Sequence, residues 1–596
     1  MRRIFYSRWV SILFFAFGLL WSDNSKLFAQ GEVKKEEKKE MVSGKFERKS
    51  LSIIPVTAME VSRYSDNLFS GVSNMPLSAR FDYNTLKSSD IKKFESAFRV
   101  SGFDNKDPLG KKSTDAIANS LSSSVLEPAV TMVCSQDSIE ARFKRQQKRV
   151  VASAAASEKI IAPTANESLV LVNGGFLPVL LLTSVESKEG SASSKGIVYW
   201  YRIDASKVDW VEKGRDWLPK DFKDVKLTFI SAKEISGFGA VAKTDDNKDK
   251  TVMGSLSKEA SKATNESPED AKLSADAKSV KALAKSIIKV AYTMDEFKIR
   301  GVVQQVDPKF TLDVGKREDA YLDQGYKIYE TRIGADKQPY SVYTGFIRID
   351  NLADNNDKYE DSRAFSIISS GIEQGNIAVS HDQGLDAYLR PSFRTLNIPK
   401  AIGNIISGAG NMYTDDVTSS INIDAGFYYN IAKLTNINQL FIGLNASFGI
   451  PNATATSTFD GTSQSTFQAD LSILKKLWLS RFNVYAEVLF GVNSFNLNGT
   501  FTNSDTWKIS SGLAYGAGVN AGLEYAINPD LNIGLQAGYK YVLPATTVTY
   551  QENDGEPTEY LKENNASLWS RSDLDNLNLG GINLGLKVSY SLPPLF

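Results

Sequence analysis

From about residue 385 to the end of the chain, apolar and polar positions alternate. In residues 522–544, GLEYAINPDLNIGLQAGYKYVLP, one face carries Leu523, Tyr525 and Ile527, then Leu531, Ile533, Leu535, Ala537, Tyr539 and Tyr541. Gly, Asn, Gln, Glu and Lys fill the other face, and Asn528, Pro529 and Asp530 mark a turn between the halves. A period of two is that of a β-strand with chemically different faces. The same pattern runs through INIDAGFYYNI, LFIGLNASFGI, RFNVYAEVLFGVNSF, SGLAYGAGVNAGLEYAI and GINLGLKVSYSL. Counting back from Phe596, it predicts eight strands at 384–397, 418–431, 438–450, 464–475, 481–496, 509–527, 531–545 and 578–592, with ten as the alternative count. The first is the weakest, because LDAYLRPSF carries Arg390 and Pro391.

A soluble sandwich also alternates, so three further features matter. Soluble strands usually run to about 5–6 residues, whereas a bilayer needs about 9–11 tilted ones. The connectors also alternate: short turns near 432–438, 477–481 and 527–531, and long polar loops at 451–463, 497–508 and 547–577. Short turns at one end and long loops at the other are the habit of outer-membrane barrels. The polar face is small and sparsely charged, which suits the inside of a narrow barrel.

Upstream the pattern changes. Residues 1–29 read as a secretory signal peptide: MRR, the apolar run WVSILFFAFGLLW, then Ala29 at the cleavage site. Residues 30–47 form a charged tether, and 48–242 an α+β domain. In that domain ESLVLVNGGFLPVLLLTSVES predicts two short buried strands. Residues 243–270 are a polar linker, and 271–293 an amphipathic helix with Val280, Leu283, Ile287 and Ile288 on one face. Residues 294–355, with short strands and Asp/Gly turns, predict a small all-β module; 356–383 read as a second linker before the barrel at 384–596.

Charge adds one point. The chain carries 69 basic and 69 acidic residues, so it lacks the basic excess of a nucleic-acid binder. Residues 400–596 hold only 10 Lys and Arg against 16 Asp and Glu, a charge-poor segment after a charge-rich one. Candidate chemistry is thin. The one cysteine, Cys134, and the one histidine, His381, offer neither a disulfide nor a zinc site of the usual ligands, and no nucleophile elbow or phosphate loop occurs. No catalytic, cofactor-binding or metal residue is assigned, and no cofactor is expected.

With its alternating strands and a last strand that carries Tyr590 and ends on Phe596, the final ~210 residues resemble the outer-membrane β-barrel superfamily. In that superfamily a C-terminal aromatic is read by the barrel-assembly machinery, so the resemblance implies that Tyr590 and Phe596 are the assembly signal. Pro593 and Pro594 depart from the pattern. Four segments, MPLSARFDYN, ESLVLVNGGFLPVLLL, IVYWYRID and GYKIYETRIGADKQPYSVYTGFIRIDNLADN, resemble uncharacterised exported proteins of the Bacteroidota, which brings no chemistry with it.

The expectation is therefore a multidomain protein: an α+β periplasmic region with a small all-β module, then a C-terminal antiparallel transmembrane β-barrel of about eight strands. Its lumen should be filled by Asp424, Tyr428, Asn445, Glu487, Glu524, Gln536, Lys540 and Lys587. The expected role is non-enzymatic: an outer-membrane anchor whose periplasmic domain binds envelope protein partners, with Tyr199, Trp200, Tyr201 and Trp210 as a candidate binding surface. Outer-membrane lipid and the assembly machinery are the other expected partners, and nucleic acid is not. A small-solute or ion channel, and an envelope enzyme with an unrecognised site, stand as alternatives.

Overall fold

A computed structural model describes residues 48–75, 78, 80–135, 165–213, 216–241, 273–334, 339–355, 360–406, 410–456, 459, 462–501, 505–553 and 555–593. The signal peptide, the tether, the 243–270 linker and Phe596 lie outside these residues. The chain divides into two compact units, one of residues 1–42 and 331–342, the other of residues 43–330 and 343–596. The described part of the first is only the outer ends of two strands of a hairpin. The second holds three folded regions in chain order.

The N-terminal region is a three-layer α/β structure. Its elements are β1 (Lys49–Leu51), β2 (Ile54–Thr57), α1 (Ser65–Ser73), β3 (Phe81–Tyr83), α2 (Ser88–Arg99), α3 (Lys111–Ser124), α4 (Leu126–Cys134), α5 (Ala165–Asn173), β4 (Gly175–Lys188) and β5 (Ser191–Asp204). They continue with the hairpin β6 (Trp210–Lys213) and β7 (Asp216–Pro219), the long edge strand β8 (Lys226–Ala240), and α6 (Ala275–Thr293). The sheet order is β3-β1-β4-β5-β8, with β2 also on β4; β3, β1 and β2 run parallel to their neighbours and β4-β5-β8 antiparallel.

Both faces of this sheet are covered, so its central strands are apolar on both sides rather than alternating. On β4 and β5, Leu177, Val179, Leu181, Tyr199 and Tyr201 meet α2 to α5 through Phe94, Leu121, Val130 and Val172. Phe176, Leu180, Leu182, Val198 and Trp200 meet α1 and α6 through Leu68, Val280, Leu283 and Ile287. The amphipathic face expected at 271–293 thus lies on the sheet, and Ser274 caps α6 by accepting from the Ala277 N–H at 3.3 Å. One expectation fails locally: Asn173 ends a helix, α5, rather than a strand, and only the second half of ESLVLVNGGFLPVLLLTSVES is extended.

The small module is a closed six-stranded barrel. Its strands are β9 (Arg300–Gln305), β10 (Phe310–Leu312), β11 (Gly325–Ile333), β12 (Pro339–Asn351), β13 (Ser362–Ser369) and β14 (Ile377–His381), in the order β10-β13-β12-β11-β14-β9. Its core is apolar: Ile299, Val303, Leu312, Val314, Tyr326, Ile328, Ile347 and Ile349 are all fully buried. The 356–383 segment, read from sequence as a linker, therefore supplies two of the six strands. Its many Ser and charged residues hid them, and β13 crosses a bulge against β12 at Ile367 that breaks the period of two.

The C-terminal region is a closed eight-stranded antiparallel barrel of the outer-membrane type. Its wall is β15 (Leu385–Ile398), β16 (Val417–Asn430), β17 (Leu440–Pro451), β18 (Ser463–Leu479), β19 (Phe482–Thr500), then, after β20 (Thr506–Ser511), β21 (Ala514–Ala526) and β22 (Leu531–Val542). After β23 (Thr547–Glu552) and β24 (Thr558–Leu561), β25 (Gly581–Leu592) pairs with both β22 and β15 and closes the ring. β20, β23 and β24 stand outside the wall as a three-stranded extension of β19 at the long-loop end. Residues 509–527 are thus two strands, broken at Gly512 and Leu513, and not one.

The barrel exterior is apolar and uncovered: Ile421, Leu444, Phe490, Val519, Leu535 and Leu586 are each between 51 % and 68 % exposed. Among the described residues no helix is long and apolar enough to cross a membrane.

Candidate functional site: the barrel lumen and its two mouths

Inside the barrel the alternation places every second side chain in a packed polar lumen. Five acids point inward, Asp386, Asp424, Asp470, Glu487 and Glu524, and five bases, Arg390, Arg394, Lys476, Lys540 and Lys587. The formal charge of the interior is therefore zero. This matters because a buried ion without a partner costs several kcal/mol.

The pairing is specific. Nearest the short-turn end, Lys476 Nζ lies 2.9 Å from Asp386 Oδ2 and 3.3 Å from Glu524 Oε2. Ser591 Oγ donates to Asp386 at 2.7 Å, and Lys587 Nζ lies 2.8 Å from Glu524 Oε1. The Lys587 ammonium also sits over the rings of Tyr388, Tyr428 and Tyr485 at 5.0, 4.6 and 4.5 Å, within cation–π range. Tyr428 OH, Asn520 Nδ2 and Asn445 Nδ2 all donate to Glu487, at 2.9, 2.7 and 3.2 Å. Tyr485 OH donates to Gln536 at 2.7 Å. Farther along, Arg390 Nε and Ser392 Oγ each lie 2.8 Å from Asp424, with Arg394 at 3.5 Å, and Lys540 pairs with Asp470.

All eight residues singled out from the sequence as lumen-filling thus face inward; seven contact one another or a further charge, and Gln536 accepts from the neutral Tyr485. The partners that sequence reasoning missed are Asp386, Arg390, Arg394, Asp470 and Lys476. Parity was the available signal: Asp386, Tyr388, Arg390 and Arg394 share one face of β15, while Leu389, Pro391 and Phe393 share the other. Arg390, which on sequence grounds weakens the first strand, is the lumen partner of Asp424.

Packed clusters lie at both mouths. At the long-loop end the strand tops and loops form an apolar plug: Leu396, Ile405, Met412, Phe459, Phe495, Leu497, Trp507, Ile509, Trp569 and Leu577 pack as one cluster. At the short-turn end the six-stranded barrel docks directly below the wall. Phe346, Ile367 and Ile368 meet Ala526, with Trp478 and Phe365 alongside. Around this contact His381 Nε2 lies 2.6 Å from Asp530 Oδ1, and Gln383 Nε2 donates to Asp530 at 2.7 Å and to the Pro529 carbonyl at 2.6 Å. Burial pushes the Asp530 carboxyl up, but the hydrogen bond and charge of His381, with help from Gln383 and Lys327, bring it below the usual range. Asp323 accepts from the Gln439 N–H, and from Asn430 Nδ2 at 3.2 Å. There burial wins over those bonds, and the carboxyl is raised.

A second polar hub joins the six-stranded barrel to the α/β domain. Arg80, 4 % exposed, lies 3.8 Å from Asp319, 3.9 Å from Asp382 and 4.3 Å above the Tyr292 ring. Tyr292 OH and Ser78 Oγ donate to Asp319 at 3.1 and 2.8 Å. Burial pushes the Tyr292 phenol up to about 12. The candidate aromatic surface is corrected here: Tyr199, Trp200 and Tyr201 are fully buried, and only Trp210 is partly exposed. Tyr199 and Tyr201 donate to the Pro108 and Thr114 carbonyls at 2.9 and 2.8 Å, so they belong to the core. Tyr590 lies on the lipid-type exterior at 38 % exposure.

No family model matches the chain, and no curated protein matches it. Solved structures do. Neisserial surface protein A is 12 % identical, with 35 % of this chain and 100 % of that chain covered and a TM-score of 0.22. A major outer membrane protein from Thermus thermophilus is 13 % identical, with coverages of 35 % and 99 % and a TM-score of 0.25. Ail, the attachment invasion locus protein of Yersinia pestis, is 10 % identical, with coverages of 35 % and 99 % and a TM-score of 0.21. At these values nothing about function passes from those proteins to this one.

Proposed function

We propose that the chain is a non-enzymatic outer-membrane protein whose sealed barrel anchors an α/β domain in the periplasm, where that domain holds envelope protein partners. The observation that carries this reading is the inverted barrel: apolar side chains outside, and inside an interior of zero formal charge, with packed clusters at both mouths. An apolar girdle of this kind is stable only against lipid, since each exposed Å² costs about 25 cal/mol in water. The charge-matched, packed lumen supports anchoring over conduction. Short turns on the side of the α/β domain support a periplasmic location for it, by the usual asymmetry of such barrels.

The test is membrane fractionation of the full chain, cross-linking from the exposed faces of the α/β domain, and reconstitution into planar bilayers. The reading predicts recovery with the outer membrane, defined cross-linked partners and flat current traces. Steady conductance would favour the channel instead, and a soluble-fraction protein would end the anchor reading.

A further inference from the structure

On the outside of the eight wall strands only one described position carries a charged side chain, Lys475 of β18. Its exterior neighbours are apolar. Leu471 and Ile473 precede it and Leu477 and Leu479 follow it on the same face of β18, with Leu440 of β17 and Ala486 of β19 on either side. A cation in such a band is costly unless its long stem carries the charge to the interface. Lys475 does this: its Nζ donates to the Asn438 backbone carbonyl, and to Asn438 Oδ1 at 2.9 Å, in the β16–β17 turn at the short-turn end. Both acceptors are uncharged, and they use two of the three ammonium donors. Lys475 forms no ion pair among the described residues. The buried Asp323 acts on it only through space, its carboxylate being bonded by Gln439 N–H and Asn430 Nδ2. Two cations on the same short turns also have neutral partners. Lys433 sits 5.3 Å over the Tyr321 ring, and Arg481 Nη1 lies 3.5 and 3.4 Å from the Ala526 and Ile527 carbonyls. Leu434, Ile437, Leu477 and Leu479 are exposed on those turns and the strand ends beside them.

We infer that Lys475 binds the phosphate of an anionic phospholipid in the leaflet at the short-turn end, with Lys433 and Arg481 adding attraction from the turns. The inference rests on the anchor reading, because it needs the apolar band to lie in a bilayer. Position and charge carry it from there. Acyl chains against the band on either side of Lys475 bring a headgroup to the depth of Asn438. A phosphodiester there is an anionic acceptor: it takes the remaining ammonium N–H and supplies the counter-charge that the wall lacks. An acidic side chain of another protein would have to reach the same point through lipid, at the cost of burying its own charge.

The test inserts the full chain into phosphatidylcholine nanodiscs with a rising fraction of phosphatidylglycerol, at constant ionic strength. Insertion is read from the difference in gel mobility between heated and unheated samples. Native mass spectrometry of the released protein then counts the lipids it retains. The expected result is saturable retention of phosphatidylglycerol in preference to phosphatidylcholine. Lys475→Gln lowers that apparent affinity about fivefold, and Lys475→Arg preserves it. Lys433→Gln combined with Arg481→Gln lowers it with Lys475 intact, and Lys508→Gln, at an exposed lysine of the long-loop end, leaves it unchanged. A chain that does not insert would overturn both this inference and the anchor reading. A chain that inserts but retains the two lipids equally, or loses as much with Lys508→Gln as with Lys475→Gln, would overturn this inference alone. So would glycerol phosphate displacing the retained lipid, since the site would then take a free phosphate.

Discussion

The protein contains two closed β-barrels in series, and they are built inside out with respect to each other. The six-stranded barrel hides Val303, Ile328, Ile347 and Ile349 and shows water a polar skin. The eight-stranded barrel hides Asp424, Glu487, Glu524 and Lys587 and exposes Leu444, Leu535 and Leu586. Both close their hydrogen-bond ladders completely, so backbone pairing does not distinguish them. The difference is the solvent each was built for. In water the apolar face must turn inward; in lipid it turns outward, and the polar groups left inside must satisfy one another.

Breaking the polar interior should have the largest effect. Glu524→Ala strands Lys587 in the lumen, leaves Lys476 to Asp386 alone and is expected to cost about 3–5 kcal/mol, measured by urea unfolding in lipid vesicles. Glu524→Leu combined with Lys587→Met, which removes a balanced pair, should recover much of that loss. If the single and the double substitutions cost the same, the charge matching is incidental.

Ile347→Ala attacks the opposite kind of core and should cost about 2–5 kcal/mol. Its signature is loss of the six-stranded barrel's protease resistance while the eight-stranded barrel stays folded on unheated gels. Leu535→Arg places a charge on the lipid face and should cost about 2–4 kcal/mol if that side chain sits near the midplane. The same change at Ile333, 77 % exposed on β11 of the six-stranded barrel, should be almost silent. Equal effects at the two exteriors would erase the distinction between them.

The smallest effect is a pH response at the junction where the two barrels meet. Asp530 has a lowered carboxyl, so its contribution to docking is full above the ordinary carboxylate range and disappears as pH falls through its own value. Asp323 has a raised carboxyl, so its contribution is full below the ordinary range and is lost as pH rises from there to the folded value. Docking, read by cross-linking across the junction, should therefore tighten on mild acidification from neutral pH and loosen in stronger acid. Asp323→Asn should remove the first limb and leave the second.

The eight-stranded barrel was legible in the sequence because its two environments differ at every step. Alternation in residues such as Leu535, Gln536 and Ala537 fixes both strand and face. Charge inside such a barrel reads as an error until its partner is known, which is why Arg390 misled while Asp424 did not. In the six-stranded barrel, β13 puts Ile367 and Ile368 side by side across a bulge, and the period that would have announced a strand is lost. Tyr199, Trp200 and Tyr201 misled for a different reason. A strand covered on both faces has no polar side; from sequence alone the run reads first as sheet core, with a binding surface as the alternative, and the burial is that of core. The junction itself could not be read at all, because His381 and Asp530, and likewise Asp323 and Gln439, meet only through tertiary structure.

The central claim is that the oily face of the last eight-stranded ring lies against lipid. Its most direct test is a single-label scan along β22 from Ile533 to Lys540 in bilayers, in a Cys134→Ser background, reading the accessibility of each spin label to oxygen dissolved in the membrane. Labels at positions 533, 535, 537 and 539 should be oxygen-accessible, and those at 534, 536, 538 and 540 shielded, with a period of two. A flat profile, or one in which the odd positions are reached by a water-soluble relaxant, would contradict the account.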